Sequence, residues 1–176
     1  FYEDWKFWVR RKYYPQIEGH QPPSEAAEQI TDHTEHKSYF NVQPAYNPTK
    51  DQIAFISDRN DYIDIFLIDV PTKFLRRIEK GERSSEAQSF HPFDSRMSFS
   101  PDGKYIAHSV KLGHCDGIAI VDVRRKKRVK TLVFSSEGIR EISSPAWSPD
   151  SEHIAFAGLH SGKRDIFITD TAGSYI

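Results

Sequence analysis

The stretch Pro145-Ala-Trp-Ser-Pro-Asp150, with His153-Ile-Ala-Phe-Ala157 and Asp165-Ile-Phe-Ile-Thr-Asp170 after it, decides the fold, because its pattern occurs three times. In each copy an aromatic residue precedes a proline turn, an Ile-Ala pair follows, and an apolar segment begins with aspartate. The distance from the turn proline to the isoleucine of the pair is five residues in all three copies. The earlier copies comprise Pro44–Pro48, Gln52–Ser57 and Asp64–Asp69, and then Met97–Gly103, Tyr105–Ser109 and Asp116–Asp122.

The copies recur at a period that is typical of propeller blades. The turn prolines Pro48, Pro101 and Pro149 are separated by 53 and then by 48 residues. Short segments rich in Ile, Val, Phe and Tyr alternate with turn residues, which indicates an all-β protein. Apolar segments at 74–78 and 129–133 supply a fourth strand to the first two copies. The sequence therefore predicts an all-β fold, namely a partial β-propeller of about three four-stranded antiparallel blades. The propeller segment spans residues 39–176, and its blades cover about residues 40–80, 94–134 and 143–173.

The residues before this segment predict a short helical linker, or the end of an upstream domain, over 1–38. Phe1, Trp5 and Trp8 share one face of a helix over residues 1–14, which Pro15 is expected to end. A second short helix is predicted over Ser24–Gln29. The aromatic stripe is interpreted as a packing face for a domain that this chain does not contain.

Two packing expectations follow from the repeat. Tyr46, Phe99 and Trp147 have equivalent places before the turns, so their rings are expected to be mostly buried between sheets. Three blades do not close a ring, so the chain is interpreted as part of a longer protein. Both flanks are then expected to expose apolar sheet surface and to support self-association.

The composition excludes several classes of function. Lys plus Arg is 24 and Asp plus Glu is 25, so a nucleic-acid partner is not expected. No apolar run approaches the roughly 18 residues of a membrane helix. Cys115 is the single cysteine, which excludes an intrachain disulfide and a cysteine zinc cluster. His-Glu-x-x-His, Gly-x-Ser-x-Gly and a glycine-rich phosphate loop are all absent, so no catalytic residue, cofactor or metal is predicted.

Two groups of charged residues each have two interpretations. The run Arg124–Arg128 is interpreted as a solvated hairpin tip, with an anionic-lipid or nucleic-acid patch as the alternative. Asp64, Asp116 and Asp165 recur at one position of the repeat. They are interpreted as carboxylates that cap turn N–H groups in each blade, with ion or partner binding as the alternative.

The repeat resembles the WD-like SPDG β-propeller repeat of the TolB family over about residues 40–173. Trp147-Ser-Pro-Asp150, Ile154-Ala-Phe156, Ser57-Asp-Arg59 and Asp64-Ile-Phe66 carry the resemblance, whereas Asn47-Pro-Thr-Lys50 departs from the SPDG pattern.

The resemblance implies a non-catalytic propeller for protein interaction or substrate gating. The parent would be a larger bacterial protein in which a metallopeptidase-like domain precedes the propeller. The alternative is a TolB-type periplasmic binding protein that acts in envelope maintenance or transport. The compartment stays open from the sequence, and the resemblance favours the periplasm or cell envelope.

The turns between the second and third strands of each blade are predicted to emerge at one end of the propeller. Loops on a rigid scaffold are where binding residues concentrate, so these turns are the candidate site for a protein partner or for the upstream domain. The candidate residues are Asp58, Arg59, Asp61, His114, His160 and Arg164.

Overall fold

The computed structural model describes residues 1–17, 27–33, 37–59, 61–81 and 89–174. Their contacts divide the chain into two units, Phe1–Thr31 and Asp32–Ile176. The first unit contains helix α1 (Tyr2–Ile17). The strands of the second unit are β1 (Asn41–Tyr46), β2 (Gln52–Ser57), β3 (Asp64–Asp69), β4 (Leu75–Glu79), β5 (Ser98–Phe99), β6 (Tyr105–Leu112), β7 (Cys115–Asp122), β8 (Lys127–Val133), β9 (Arg140–Trp147), β10 (His153–His160) and β11 (Lys163–Asp170).

Helix α1 continues past the residue that was expected to end it. Pro15 lies inside the helix, which ends at Ile17, so the predicted end at residue 14 is wrong. Proline has no backbone N–H and so cannot donate the helical hydrogen bond to the carbonyl four residues earlier. Because Pro15 lies in the last turn of α1, the helix loses only one hydrogen bond near its end. The predicted second helix begins outside the described residues, and residues 27–29 are not helical.

The aromatic residues of α1 contact one another. Tyr2 stacks on Trp5 with 6.4 Å between ring centroids, and Trp8 meets Tyr13 edge-on at 6.5 Å. Within this unit Trp5 and Trp8 are each 54% exposed. No helix in the described part of the chain is long and apolar enough to cross a membrane.

The described residues of the second unit form three antiparallel sheets, which confirms the predicted all-β fold. Sheet 1 has the order β1-β2-β3-β4, sheet 2 the order β5-β6-β7-β8, and sheet 3, within the described residues, the order β9-β10-β11. The first and second strands of all three sheets share one register. In that register Tyr46 pairs with Ile53, Phe99 with Ile106, and Trp147 with Ile154. The spacing of the sequence repeat therefore reflects a repeated strand pairing.

The three repeated aromatic rings are not equally buried. Phe99 is 8% exposed and packs in a core with residues of sheet 1, and Trp147 is half-buried against a core with residues of sheet 2. Tyr46 is 58% exposed, so its predicted burial is wrong. No described strand precedes sheet 1, and the Tyr46 hydroxyl donates to Asp51 Oδ1 at 2.7 Å in solvent.

Two apolar cores join neighbouring sheets. The first core contains Ala54, Ile65 and Phe90 together with residues of sheet 2 such as Ile106. The second contains Ala107 and Leu132 of sheet 2 with Ile154 and Phe156 of sheet 3. Alanines on the second strands leave room for larger side chains from the next sheet, as the Ile-Ala pairs predict.

The outer faces of sheets 1 and 3 differ in how far their apolar side chains are exposed to solvent. Ile166 and Ile168 of sheet 3 are 76% and 49% exposed, as expected for an open flank. Phe55 and Phe66 of sheet 1 are each 3% exposed, and the guanidinium of Arg59 lies over both rings. The expectation of exposed apolar surface on both flanks is therefore wrong for these two rings of sheet 1.

The Ser-Pro-Asp turns between first and second strands share one hydrogen-bond pattern. Ser100 Oγ donates to Asp102 Oδ1 at 2.7 Å and accepts from the Tyr105 N–H at 3.0 Å. Ser148 makes the same two bonds, to Asp150 at 2.5 Å and from the His153 N–H at 2.9 Å. The hydrogen bond from Lys104, helped by that from Ser100, lowers the pKa of Asp102 to about 2. The motif is therefore a local turn device that the residue types specify.

The first copy has Asn47-Pro-Thr-Lys50 in place of the Ser-Pro-Asp motif, and this turn contacts the corresponding turn of sheet 2. Asn47 Oδ1 accepts from the Thr49 N–H at 2.9 Å, and Asn47 Nδ2 donates to the Gly103 carbonyl at 3.2 Å. Gly103 has a φ of 68°, and a Cβ atom there would lie 2.3 Å from Asn47 Oδ1 and 2.4 Å from Thr49 Oγ1. Glycine is required for both the backbone conformation and the close approach.

Substituting Gly103 by alanine is expected to destabilise the chain more than the same change at Gly113. Gly113 also has a positive φ, 64°, but no atom lies within 4 Å of its Cβ position. Gly113→Ala should therefore cost about 1–2 kcal/mol from the left-handed backbone alone, and Gly103→Ala about 1 kcal/mol more from the clash. Urea denaturation of both variants measures the difference, and equal losses would contradict the proposed role of the Asn47 contact.

Candidate interaction face

The turns that follow the second strands emerge at one end of the sheets, here called the interaction face. Their described residues are 58–59 and 61–63 in sheet 1, Gly113–His114 in sheet 2 and Ser161–Gly162 in sheet 3. The last two turns have only two residues each, whereas the sequence pattern predicts turns over 111–114 and 160–164, because the flanking residues continue the β-ladders. Gly113, Ser161 and Gly162 have φ values of 64°, 50° and 77°, which is the backbone that tight hairpin turns need.

Two of the six predicted site residues fasten the end of sheet 1. Asp58 Oδ1 accepts from the backbone N–H groups of Tyr39 at 2.9 Å and Phe40 at 3.2 Å, which holds the segment before β1. Arg59 donates to Asn41 Oδ1 at 3.0 Å while stacking on the sheet 1 phenylalanines. Burial lowers the pKa of Arg59.

The other four predicted residues are exposed. Asp61 has a φ of 62° in the turn of sheet 1, and His114 lies in the two-residue turn of sheet 2. His160 meets the Phe167 ring edge-on at 6.5 Å. Arg164 is the one predicted residue that lines a depression in this face.

The depression lies between sheets 2 and 3 and has a volume of about 400 Å³. The connection before β5 supplies His91 and Asp94, and strand β7 supplies Asp116. Sheet 3 supplies the remaining lining residues, which are Glu141, Ile142, Ser143 and Arg164. The depression therefore combines three carboxylates, one imidazole and one guanidinium.

Two polar side-chain pairs organise the depression. His91 Nε2 lies 3.2 Å from Asp116 Oδ1, and the Asp116 side chain is only 10% exposed. Arg164 Nη2 donates to Glu141 Oε2 at 2.8 Å, and Arg164 Nη1 donates to Ser143 Oγ at 3.3 Å. Gln43 of sheet 1 also donates to the His91 carbonyl at 2.9 Å, which ties the depression to the neighbouring sheet.

This arrangement suits recognition better than nucleophilic catalysis. A serine nucleophile needs a base within about 2.6–3.2 Å of its hydroxyl. The Ser143 hydroxyl instead accepts from Arg164, and His91 is paired with the Asp116 carboxylate of sheet 2. Carboxylates and cations that are displayed together at strand ends can bind a partner that carries both charges.

Comparison with known proteins addresses the fold directly. The chain is 31% identical over 136 residues to a TolB homologue from Protochlamydia amoebophila (strain UWE25), a match over 73% of this chain and 28% of that protein. The crystal structure of TolB from Acinetobacter baumannii matches with a TM-score of 0.61 and 21% identity, over 77% of this chain and 31% of TolB. A putative TolB from Agrobacterium tumefaciens matches with a TM-score of 0.60 and 14% identity, over 82% and 49% of the two chains. No protein-family model matches the chain.

The strand-repeat segment is a TolB-like β-propeller. The predicted resemblance to the TolB repeat is thereby confirmed, together with the fold class. The chain spans 28% of the length of its curated TolB relative. The upstream metallopeptidase-like domain stays a prediction.

Sequence reasoning missed most residues of the depression in this TolB-like propeller. His91 and Asp94 lie in the connection between the first two sheets, where the repeat has no common pattern. Glu141 and Ser143 lie in β9, whose sequence predicts a strand and carries no motif of a binding site. Of the residues that were missed, Asp116 has a sequence signal, because it recurs at the position of Asp64 and Asp165.

The three recurring aspartates of the TolB-like propeller do not share one role. Asp64 is fully buried and accepts from Arg77 Nη1 and from the Gly81 N–H, each at 3.0 Å. Asp116 pairs with His91, and Asp165 is exposed in β11. The prediction that each caps turn N–H groups is therefore wrong beyond Asp64, because the neighbouring connections differ in length and residue type.

One acidic cluster lies away from the interaction face. Asp150, Glu152 and His153 place their ligand atoms within 4.8 Å of one another in the turn before β10. Asp150 already accepts from Ser148 Oγ and from the Glu152 N–H, and these bonds lower its pKa. The Ser-Pro-Asp turn accounts for this cluster.

Proposed function

We propose that this TolB-like propeller segment is a non-catalytic protein-interaction module. Its interaction face would dock a protein partner or another domain of the same parent protein. The observation that carries the proposal is the depression of about 400 Å³ between sheets 2 and 3, lined by charges of both signs.

The chemistry of the depression favours a protein as the partner. Asp94 and Glu141 are exposed carboxylates and Arg164 is an exposed cation, so a complementary surface needs both basic and acidic groups. A protein loop supplies such groups together, and paired opposite charges set orientation and association rate. The exposed turn residues Asp61, His114 and His160 extend the same face and would form the polar rim of the contact.

The second candidate function is a TolB-type periplasmic binding protein of envelope maintenance or transport. The TolB homologue at 31% identity favours it. The full-length gene discriminates the two functions. A secretion signal followed by a TolB-type N-terminal domain would select the second function, whereas an upstream His-Glu-x-x-His would select a propeller attached to a peptidase.

Reversing two charges of the depression is expected to weaken docking by about tenfold or more. The variant Asp94→Lys/Arg164→Glu changes one exposed charge on each wall and should shift stability by only about 0.5 kcal/mol each. Arg59 is a poor probe by comparison, since its stacking on Phe55 and Phe66 is structural. Binding to the purified remainder of the parent protein is measured by titration calorimetry.

The matched control reverses two charges at the opposite end of the sheets, in Lys50→Glu/Glu152→Lys. It should bind like the unmodified chain, with a similar melting temperature. A photo-crosslinking residue at position 114 in the full-length parent should in addition capture the docked protein, whereas one at position 50 should not. Unchanged affinity of the depression variant, or equal weakening by the control, would refute the proposal.

A further inference from the structure

A second groove, lined by none of the residues of the depression, lies on the outer side of the seam between sheets 1 and 2. It has a volume of about 390 Å³. One wall is the end of β4 and the residue after it, and the other is the turn before β8 and its start. The lining residues are Arg77, Ile78, Glu79, Lys80, Lys126, Lys127 and Arg128.

The groove concentrates positive charge in a chain whose net charge is −1. Five of its lining side chains are cationic and one, Glu79, is acidic. Glu79 is fully engaged, because its two oxygens accept from Arg128 and from His108 Nε2. Among the described residues that line the groove, no carboxylate is therefore left for the lysines.

The arginines of the groove are held in ion pairs, whereas its lysines are not paired with a described residue. Arg77 is held by the buried Asp64 at 3.0 Å, and Arg128 is held by Glu79 through both Nε and Nη2. Lys80, Lys126 and Lys127 are exposed and make no ion pair or side-chain hydrogen bond with a described residue. Two fixed guanidinium groups with three free ammonium groups make a site for several negative charges at once.

The backbone of the groove favours an extended peptide. β4 is the outermost strand of sheet 1, and β8 is the outermost strand of sheet 2. Outermost strands leave N–H and C=O groups unpaired along one side, and four consecutive residues, 77–80, line the groove. An extended chain places every second side chain on one face, about 6–7 Å apart, so alternate carboxylates could reach the cations of both walls.

We propose that this groove binds an extended acidic peptide segment, rich in Asp and Glu, of a partner protein. A nucleic acid fits less well, because the groove is only a few residues long and the rest of the chain carries a net negative charge that repels a long polyanion. The run Arg124–Arg128, interpreted from sequence as a solvated hairpin tip, thus contributes its last three residues to a site that also needs β4.

The test uses the 176-residue chain and a fluorescent peptide of about eight alternating Asp and Glu residues. Anisotropy is measured at about 50 mM salt and again at about 150 mM, where screening is stronger. Saturable binding is expected at low salt, weaker binding at higher salt, and none for the matched Asn/Gln peptide. The variant Lys80→Gln/Lys126→Gln/Lys127→Gln should lose about tenfold or more in affinity.

The matched control removes the same number of charges outside the groove, in Lys50→Gln/Lys111→Gln/Lys163→Gln, and should retain the affinity. Carbodiimide crosslinking of the peptide, mapped by mass spectrometry, should modify Lys80, Lys126 and Lys127, which tests the site even if the triple variant folds poorly. Asp94→Lys/Arg164→Glu should bind the peptide unchanged, so this proposal and the proposed function fail separately. Equal loss in the control, crosslinks elsewhere, no saturable binding, or tighter binding of polyphosphate or single-stranded DNA than of the peptide would each overturn it.

Discussion

Replacing Glu79 by glutamine is expected to lower the free energy of unfolding by about 3–5 kcal/mol, the usual cost of breaking a buried ion pair. The Glu79 side chain is 8% exposed, and its partners His108 and Arg128 are 2% and 10% exposed. The glutamate therefore pairs with a guanidinium and an imidazole that both have little water around them. Glutamine keeps the shape of the side chain and removes the charge.

The geometry around His108 explains why the loss should be large. His108 Nε2 lies 2.6 Å from Glu79 Oε2, and Nδ1 lies 3.0 Å from the Ser109 carbonyl. Both ring nitrogens thus face oxygen acceptors, and the Phe90 ring packs edge-on at 5.0 Å. Without the carboxylate, a buried imidazole and a buried guanidinium would lose their charged acceptor.

Urea denaturation of Glu79→Gln against the exposed control Glu137→Gln measures this effect, with the control expected within about 0.5 kcal/mol of the unmodified chain. The triple variant Glu79→Leu/His108→Leu/Arg128→Met should recover much of the loss, because apolar residues can replace a buried ion network. A loss for Glu79→Gln no larger than that of the control would contradict a role for the buried charge.

The same network predicts how stability depends on pH. Burial raises the pKa of Glu79, but the charges and hydrogen bonds of His108 and Arg128 outweigh it and hold the pKa below the ordinary 4.5. A carboxyl whose pKa is lowered by folding stabilises the folded state above its ordinary pKa, and that stabilisation is lost as the pH falls through the lowered value. The stability difference between the unmodified chain and Glu79→Gln should therefore shrink as the pH falls below 4.5.

Replacing Phe156 by alanine is expected to cost about 3–5 kcal/mol, as for other buried aromatic residues. Phe156 is 2% exposed. Its ring stacks on Phe134 at 4.9 Å between centroids and on Phe167 at 5.7 Å. Phe134 follows the last strand of sheet 2 and Phe156 lies in sheet 3, so the cavity would open at the joint between the two sheets.

Thermal and urea unfolding of Phe156→Ala tests whether this joint holds the TolB-like segment together. Phe156→Leu should lose less, about 1.5 kcal/mol, because it leaves a smaller cavity. The control Phe74→Ala removes a ring that is 65% exposed and should change stability by about 0.5 kcal/mol at most. Similar losses for Phe156→Ala and Phe74→Ala would show that the aromatic stack does not hold the sheets.

The fold could be predicted from sequence because its signals are local. Alternating apolar residues, the Ser-Pro-Asp turns and the Ile-Ala pairs each act within a hairpin, and the hydroxyl of Ser100 or Ser148 bonds within five residues. Their repetition at constant spacing then identified the blades and the TolB resemblance. The same signals predicted that the turns of the interaction face lie at one end of the sheets. In a sheet of consecutive antiparallel strands, alternate turns lie at the same end.

The sites depended on contacts that no local pattern contains. Glu79 meets Arg128 across 49 residues of sequence, and His91 meets Asp116 across 25. Arg59 was predicted to be a partner-binding turn residue and instead covers two phenylalanines, whereas Tyr46 was predicted to be a core residue and is exposed. Strand and turn formation follows from the residues of one hairpin, so the sequence by itself determined the blades. Which charges neutralise each other, and which remain free to bind a partner, was decided only by how the twisted sheets pack and bring their edges together.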